Sequence, residues 1–139
     1  MFCSTSLSVT QTLPHNRSRV ALIALWAVQV VLAGVFLLAG GSKLAGAAAM
    51  VALFDAIGVG QWFRYVTGGI EVVSAIALLV PCLAPFGAVA LIATMVGAVT
   101  THLFIIGGSP AVPVLLLLGS LVIAWTRRDQ LVAVARRRS

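Results

Sequence analysis

Charge is what this chain has least of: 9% of its 139 residues are charged, and Asp55, Glu71 and Asp129 are its only acids. A water-soluble domain carries roughly a quarter charged residues and needs polar side chains over most of its surface, so a soluble globular fold is excluded. Disorder is excluded by the opposite shortage, because 61% of the chain is apolar and the mean hydropathy is +1.14. Cysteine is also scarce. Cys3 and Cys82 form no C-x-x-C pair, which removes a redox dithiol and a zinc site; they read as a tail thiol and a small turn residue. His15 lies in the N-terminal segment, which leaves His102 alone in the apolar region. A single intramembrane histidine cannot supply bis-histidine haem ligation, and no glycine-rich phosphate loop is present. One small membrane domain remains, with lipid as its solvent.

The few charges that exist are mostly basic, and their placement decides what they mean. Arg17 and Arg19 precede the first apolar run, while Arg127, Arg128, Arg136, Arg137 and Arg138 follow the last; only Lys43 and Arg64 lie between. Basic residues outside the outermost spans fit the positive-inside rule with both termini cytoplasmic, which requires an even number of crossings. The C-terminal arginines read as a topology determinant and a contact to anionic lipid. Nucleic acid is not an expected partner, since its binding would explain no other feature.

Residues 1–19 read as a mobile tail, Ser/Thr-rich and without an apolar helical period up to Asn16. Residues 20–126 read as the membrane domain, with spans predicted over 20–41, 64–80, 86–106 and 111–126, and residues 127–139 as a basic tail. Ser42 to Phe63 reads as an external loop in which Ala47 to Ile57 can form a short helix anchored by Phe54 and Ile57. Pro81 and Pro85 close the second span, Gly107 and Gly108 the third, and Pro113 falls in the first turn of the fourth. The expected fold class is all-α, a four-transmembrane-helix antiparallel bundle, because the short connections force neighbours to run in opposite directions.

Ionisable groups at membrane depth are costly and mark function. With span one running outward, Lys43 lies at its outer end; Arg64 opens the inward span two, Glu71 lies about 10 Å deep in it, and His102 falls near the outer end of span three. All are predicted in one leaflet, with no equivalent cluster in the other. Helical spacing aligns Gln29, Ala33, Phe36, Gly40 and Lys43 on span one, and Thr67 or Gly68, Glu71, Ser74 or Ala75, and Leu78 on span two. On span three it aligns Leu91, Met95, Ala98 and His102, beside a second small-residue stripe of Ala93, Gly97 and Thr101. These stripes are expected to face the bundle interior. Two readings stay open. In one, Glu71 pairs with Lys43 or Arg64 to fix helix register and His102 bonds a neighbouring threonine. In the other, Glu71 and His102 titrate or bind a polar head group in a low-dielectric pocket. Gln29 reads as helix-helix glue or a pocket residue.

At these residues the chain resembles the DoxX-like family of small four-helix membrane proteins. Its pattern is a first helix ending Gly-x-x-Lys-Leu, here Phe36, Gly40, Lys43 and Leu44; then Phe-x-x-x-Gly, here Phe54 and Gly58; then a glycine shortly before a glutamate, here Arg64, Gly68, Gly69 and Glu71. The match spans roughly Ala33 to Ala98. The resemblance implies a fold more than a reaction. No cofactor is evident in the residues; the resemblance points to a multi-pass protein of a bacterial-type cytoplasmic membrane, to a quinone or a partner redox subunit as the carrier of any redox chemistry, and to that subunit or a second copy of the chain as the assembly. It leaves open whether the protein is an enzyme. In that hypothesis Glu71 and His102 are the catalytic candidates, with Lys43, Arg64, Gln29 and Thr101 binding or balancing charge, and no metal. A small proton-coupled transporter and a purely structural assembly subunit are the alternatives.

Overall fold

The computed structural model describes residues 15–136, and all their regular structure is helical. The helices are α1 (His15–Leu44), α2 (Ala48–Ile57), α3 (Gln61–Leu79), α4 (Ala84–Thr101), α5 (Ala111–Thr126) and α6 (Arg128–Arg136), and α4 is prolonged by a π-helical turn, His102–Ile106. Three stretches are long and apolar enough to cross a membrane: Arg19–Leu44, Gln61–Leu79 and Ala84–Ile106. The expected fourth crossing, α5, has the bounds read from the sequence, 111–126, but its 16 residues reach only about 24 Å.

Boundaries follow local chemistry. Gly58 and Gly107 hold the left-handed conformation (φ 78° and 67°) that ends α2 and the π-helical turn, where a β-carbon would be strained. Pro81 follows the extended Val80 and stops α3, while Pro85 sits in the first turn of α4, where its missing N–H leaves no bond unmade. Two expectations about the ends need correction. The N-terminal tail was read to residue 19, yet α1 already runs from His15; residues 1–14, with Cys3, lie outside the described residues. The C-terminal segment, read as a tail, forms α6 and packs on α4 and α5.

Contacts establish antiparallel neighbours directly. Along α1 and α3, Gly40 meets Gly68 while Gln29 meets Leu78, so one index falls as the other rises. The turn at Pro81 returns α4 along α3, with Gly87 against Ser74 and Ala77. Gly119 of α5 packs on Leu32 of α1, and Arg127 reaches Gln29. The core is small and continuous: Leu32, Ala33 and Phe36 of α1, Ala75 and Leu78 of α3, Ala88, Leu91 and Met95 of α4, and Ile123 of α5. Many of the other large apolar side chains, such as Leu38 and Phe104, are exposed, as a lipid-facing surface requires.

The stripes predicted for α1 and α3 are the buried ones. Gln29, Ala33, Phe36 and Gly40 are buried on α1, and Arg64, Gly68, Glu71, Ser74, Ala75 and Leu78 on α3. The second stripe on α4 is not interior: Ala93 and Gly97 are exposed and Thr101 is half-buried. Small residues permit close approach without enforcing it, and here no partner helix comes.

Candidate functional site

The site begins where α1 crosses α3. A β-carbon on Gly40 would lie 2.8 Å from Val72 Cγ2 and 2.9 Å from the Gly68 carbonyl oxygen, and one on Gly68 would lie 3.0 Å from Lys43 Cβ. Two glycines therefore meet back to back, and only their lack of side chains lets the helices come this close. One turn beyond each glycine stand Lys43 and Glu71. The Lys43 ammonium Nζ donates to Glu71 Oε2 at 2.7 Å, with the Glu71 side chain 2% exposed and that of Lys43 15% exposed. Lys43 also lies in the last turn of α1, where the helix dipole favours a cation. Of the two partners expected for Glu71, the structure selects Lys43.

Arg64 is buried but does not reach Glu71. Its guanidinium donates to the Lys43 carbonyl at the end of α1, which also accepts from the Gly46 N–H, and its Nε donates to Gln61 Oε1 at 2.7 Å. It also stacks over the Tyr65 ring, 4.3 Å from the centroid. Gln61 in turn donates to the Val51 carbonyl and to Asp55 Oδ1 of α2. Arg64 therefore ties the end of α1 to α3 and, through Gln61, to α2, and its expected pairing with Glu71 is not observed.

A cavity of about 480 Å³ adjoins the Lys43–Glu71 pair. α3 and α4 form two of its walls, α1 and α5 contribute Phe36 and Pro113, and α2 lies across its end with Met50, Leu53 and Phe54 turned inward. Phe63 holds the buried Phe54 edge to face, with ring centroids 6.0 Å apart. The walls are mainly apolar; polar groups come from Lys43, Glu71, Thr67, Thr94, Thr101 and His102. Four sequence candidates, Glu71, His102, Lys43 and Thr101, thus share one cavity.

His102 is bonded differently from expectation. Its Nδ1 lies 2.9 Å from the Ala98 carbonyl, not against a threonine. A carbonyl oxygen only accepts, so Nδ1 carries the proton, and in the neutral ring Nε2 is an acceptor. Thr94 and Thr101 donate their hydroxyl protons to the carbonyls of Ala90 and Gly97 in their own helix, which leaves their oxygens as acceptors in the cavity wall. The arrangement offers a cationic donor, a carboxylate and several neutral acceptors at the wall of an apolar chamber.

Gln29 is elsewhere, fourteen residues before Lys43 and so about 21 Å away along α1. Its Nε2 donates to the Leu78 carbonyl at 2.6 Å and its Oε1 accepts from Arg127 at 2.9 Å, while Arg127 also donates to the Pro81 carbonyl at 3.1 Å. Of the two roles read for Gln29, the structure shows the structural one. This end of the bundle carries a polar network of a different kind, with neither an acid nor an imidazole among these bonds. Its partners are backbone carbonyls and an arginine assigned to a tail, which no pattern of side chains along one helix discloses. The α2 side of the cavity was missed as well: Phe54 and Ile57 were read as anchors, but their place over the cavity depends on contact with α3 and the π-helical turn.

Comparison with known proteins extends the sequence resemblance. Among curated proteins and among solved structures, none matches. The profile of the DoxX-like family matches residues 27–126, reaching beyond the motif-bearing stretch in both directions to take in Gln29 and all of α5. It covers the glycine crossing, the Lys43–Glu71 pair and His102, and by that match the chain belongs to the DoxX-like family.

Proposed function

We propose that this DoxX-like membrane protein is a quinone-interacting subunit of a membrane redox system, with its head-group site at Lys43, Glu71 and His102. The observation that carries the reading is the cavity itself: about 480 Å³, apolar over most of its wall, and bordered by a buried ion pair, an imidazole and threonine oxygens. Ligand cavities of this size, about 300–1,000 Å³, characteristically combine apolar walls with a few convergent polar groups. The residues fit a quinone head: a flat apolar ring needs the walls, and its oxygens need both donors and acceptors. When bound, a quinone supplies reversible electron and proton uptake that no side chain of this protein provides.

The chain's own groups have defined tasks in this reading. Lys43 has three N–H donors and spends one on Glu71, so it can orient a carbonyl oxygen. Glu71 holds a proton or yields it as the charge beside Lys43 changes. His102 accepts a hydrogen bond at Nε2 while Ala98 fixes its ring. Electrons would come from a partner subunit. The Lys43–Glu71 pair equally suits a structural assembly subunit, and gentle-detergent purification separates the two. Extracted quinone at near one per chain is expected from the wild type, falling at least fivefold in His102→Ala at unchanged expression. A ligand-free wild type would leave the structural reading.

The same reading has α5 as a fourth crossing and both termini cytoplasmic. A helix about 24 Å long spans a core of about 30 Å only with local thinning or with help from the flanking segments. Reporter fusions after Arg19 and after Ser139 should both report cytoplasmic, and a fusion at Gly58 external; opposite signals from the two ends would rule out four crossings.

A further inference from the structure

We propose that the cavity opens sideways into the bilayer through a fissure between α3 and α4, and that Gly97 keeps this opening wide enough for the isoprenoid chain of a quinone. The inference rests on the quinone reading and specifies how the molecule enters and where its tail lies. α3 and α4 touch closely near their shared turn, where a β-carbon on Gly87 would meet the Ser74 carbonyl at 2.7 Å. Towards their other ends the cavity lies between them. Residues lining it from both sides are also exposed on the outer surface: Val66 (45%) and Ile70 (41%) on α3, and Gly97 on α4. A residue that lines a chamber and also meets the surrounding lipid marks an opening between the two.

Gly97 is the telling position. It sits inside a helix, where glycine costs about 1 kcal/mol relative to alanine. Unlike Gly40, Gly68 and Gly87, it serves no close helix contact: a β-carbon there would meet nothing within 4 Å. Its missing side chain leaves space in the wall of the cavity. The occupant follows from polarity. The ionisable groups belong to Lys43, Glu71 and His102, whereas Val66, Ile70 and Gly97 present apolar surface and the neighbouring hydroxyls of Thr67, Thr94 and Thr101 are bonded to carbonyls of their own helices. A molecule seated with its head at the ion pair would therefore pass its hydrocarbon chain out at the fissure. The roof made by α2 and the π-helical turn leaves the side wall as the route for an apolar chain.

The test uses the full chain in lipid nanodiscs and two probes, a quinone without a side chain and the same quinone with a polyprenyl side chain, with binding read from tryptophan fluorescence. Gly97→Phe is expected to weaken the prenylated probe at least tenfold and the bare ring less than twofold, with thermal unfolding unchanged. Ile70→Phe, on the opposite lip, should do the same, and Gly97→Ala, which adds a single methyl, should weaken the prenylated probe by far less than Gly97→Phe does. Unchanged prenyl-quinone binding in both bulky variants overturns the fissure and leaves the head-group site standing. Equal loss of both probes also overturns it, because the substitutions would then act on the chamber. Wild-type protein that binds neither probe removes the quinone reading, and the fissure with it.

Discussion

Lys43→Met should destabilise the protein by about 3–5 kcal/mol, the largest effect expected of any single substitution here, because it strands the Glu71 carboxylate without its cation. The carboxylate is 2% exposed, whereas the lysine side chain is 15% exposed on a long flexible stem. The reverse substitution, Glu71→Gln, should therefore cost less, about 1–3 kcal/mol, since the freed ammonium can move towards the surface and the amide keeps a hydrogen-bond acceptor. Removing both charges with Lys43→Met and Glu71→Leu should restore most of the loss, as replacement of a buried pair by apolar groups is often neutral. Unfolding titrations of the three variants in mixed micelles form a double-mutant cycle. Additive losses would show that the two groups are not energetically coupled. A restored fold without quinone binding would separate the chemistry of the pair from its contribution to stability.

The second large effect belongs to the crossing that brings this pair together. Gly40→Ala is expected to lower stability by about 1–3 kcal/mol, since the added methyl meets the Gly68 carbonyl, which is backbone and cannot swing aside. Gly34 and Gly69 lie in the same two helices with open space at their β-carbon positions. Alanine at either should be neutral or stabilising by up to about 1 kcal/mol through helix propensity. Detergent thermal unfolding of the three variants side by side is the check. Equal destabilisation by all of them would mean that the close approach of α1 and α3 is not what holds the bundle. Because Lys43 is one turn from Gly40, Gly40→Ala should also weaken head-group binding without touching a charged residue.

How much of this was legible beforehand depended on whether a signal lay within one helix. The inward stripes of α1 and α3 were readable, because Gln29, Phe36, Gly40, Gly68 and Glu71 recur at helical spacing on otherwise apolar segments, and counting residues along alternating helices brought Lys43, Glu71 and His102, which line one cavity, to the same level of the bundle. Choosing Lys43 over Arg64 as the partner of Glu71 was not readable. It depends on Arg64 being drawn to the Lys43 carbonyl and to Gln61, contacts set by the crossing and by α2. The same limit applied to Gln29 and Arg127, whose meeting joins residues far apart in the chain and uses the main-chain oxygens of Leu78 and Pro81. On α4 the small residues misled, because Gly97 and Ala93 look like a helix-packing seam while lying open to the surroundings.

The bonds from Gln29 and Arg127 fasten α1, the α3–α4 turn and α5 at one extremity. Between the two extremities Phe36 and Met95 are buried beside the cavity and Leu32, Leu91 and Ile123 are packed in the core, so the middle of the described bundle is apolar. The opposite extremity has its own fastening, because Arg64 ties the last turn of α1 to α3 and, through Gln61, to α2. A bundle latched by polar bonds at both extremities fixes the register of its helices where apolar packing against lipid alone discriminates little.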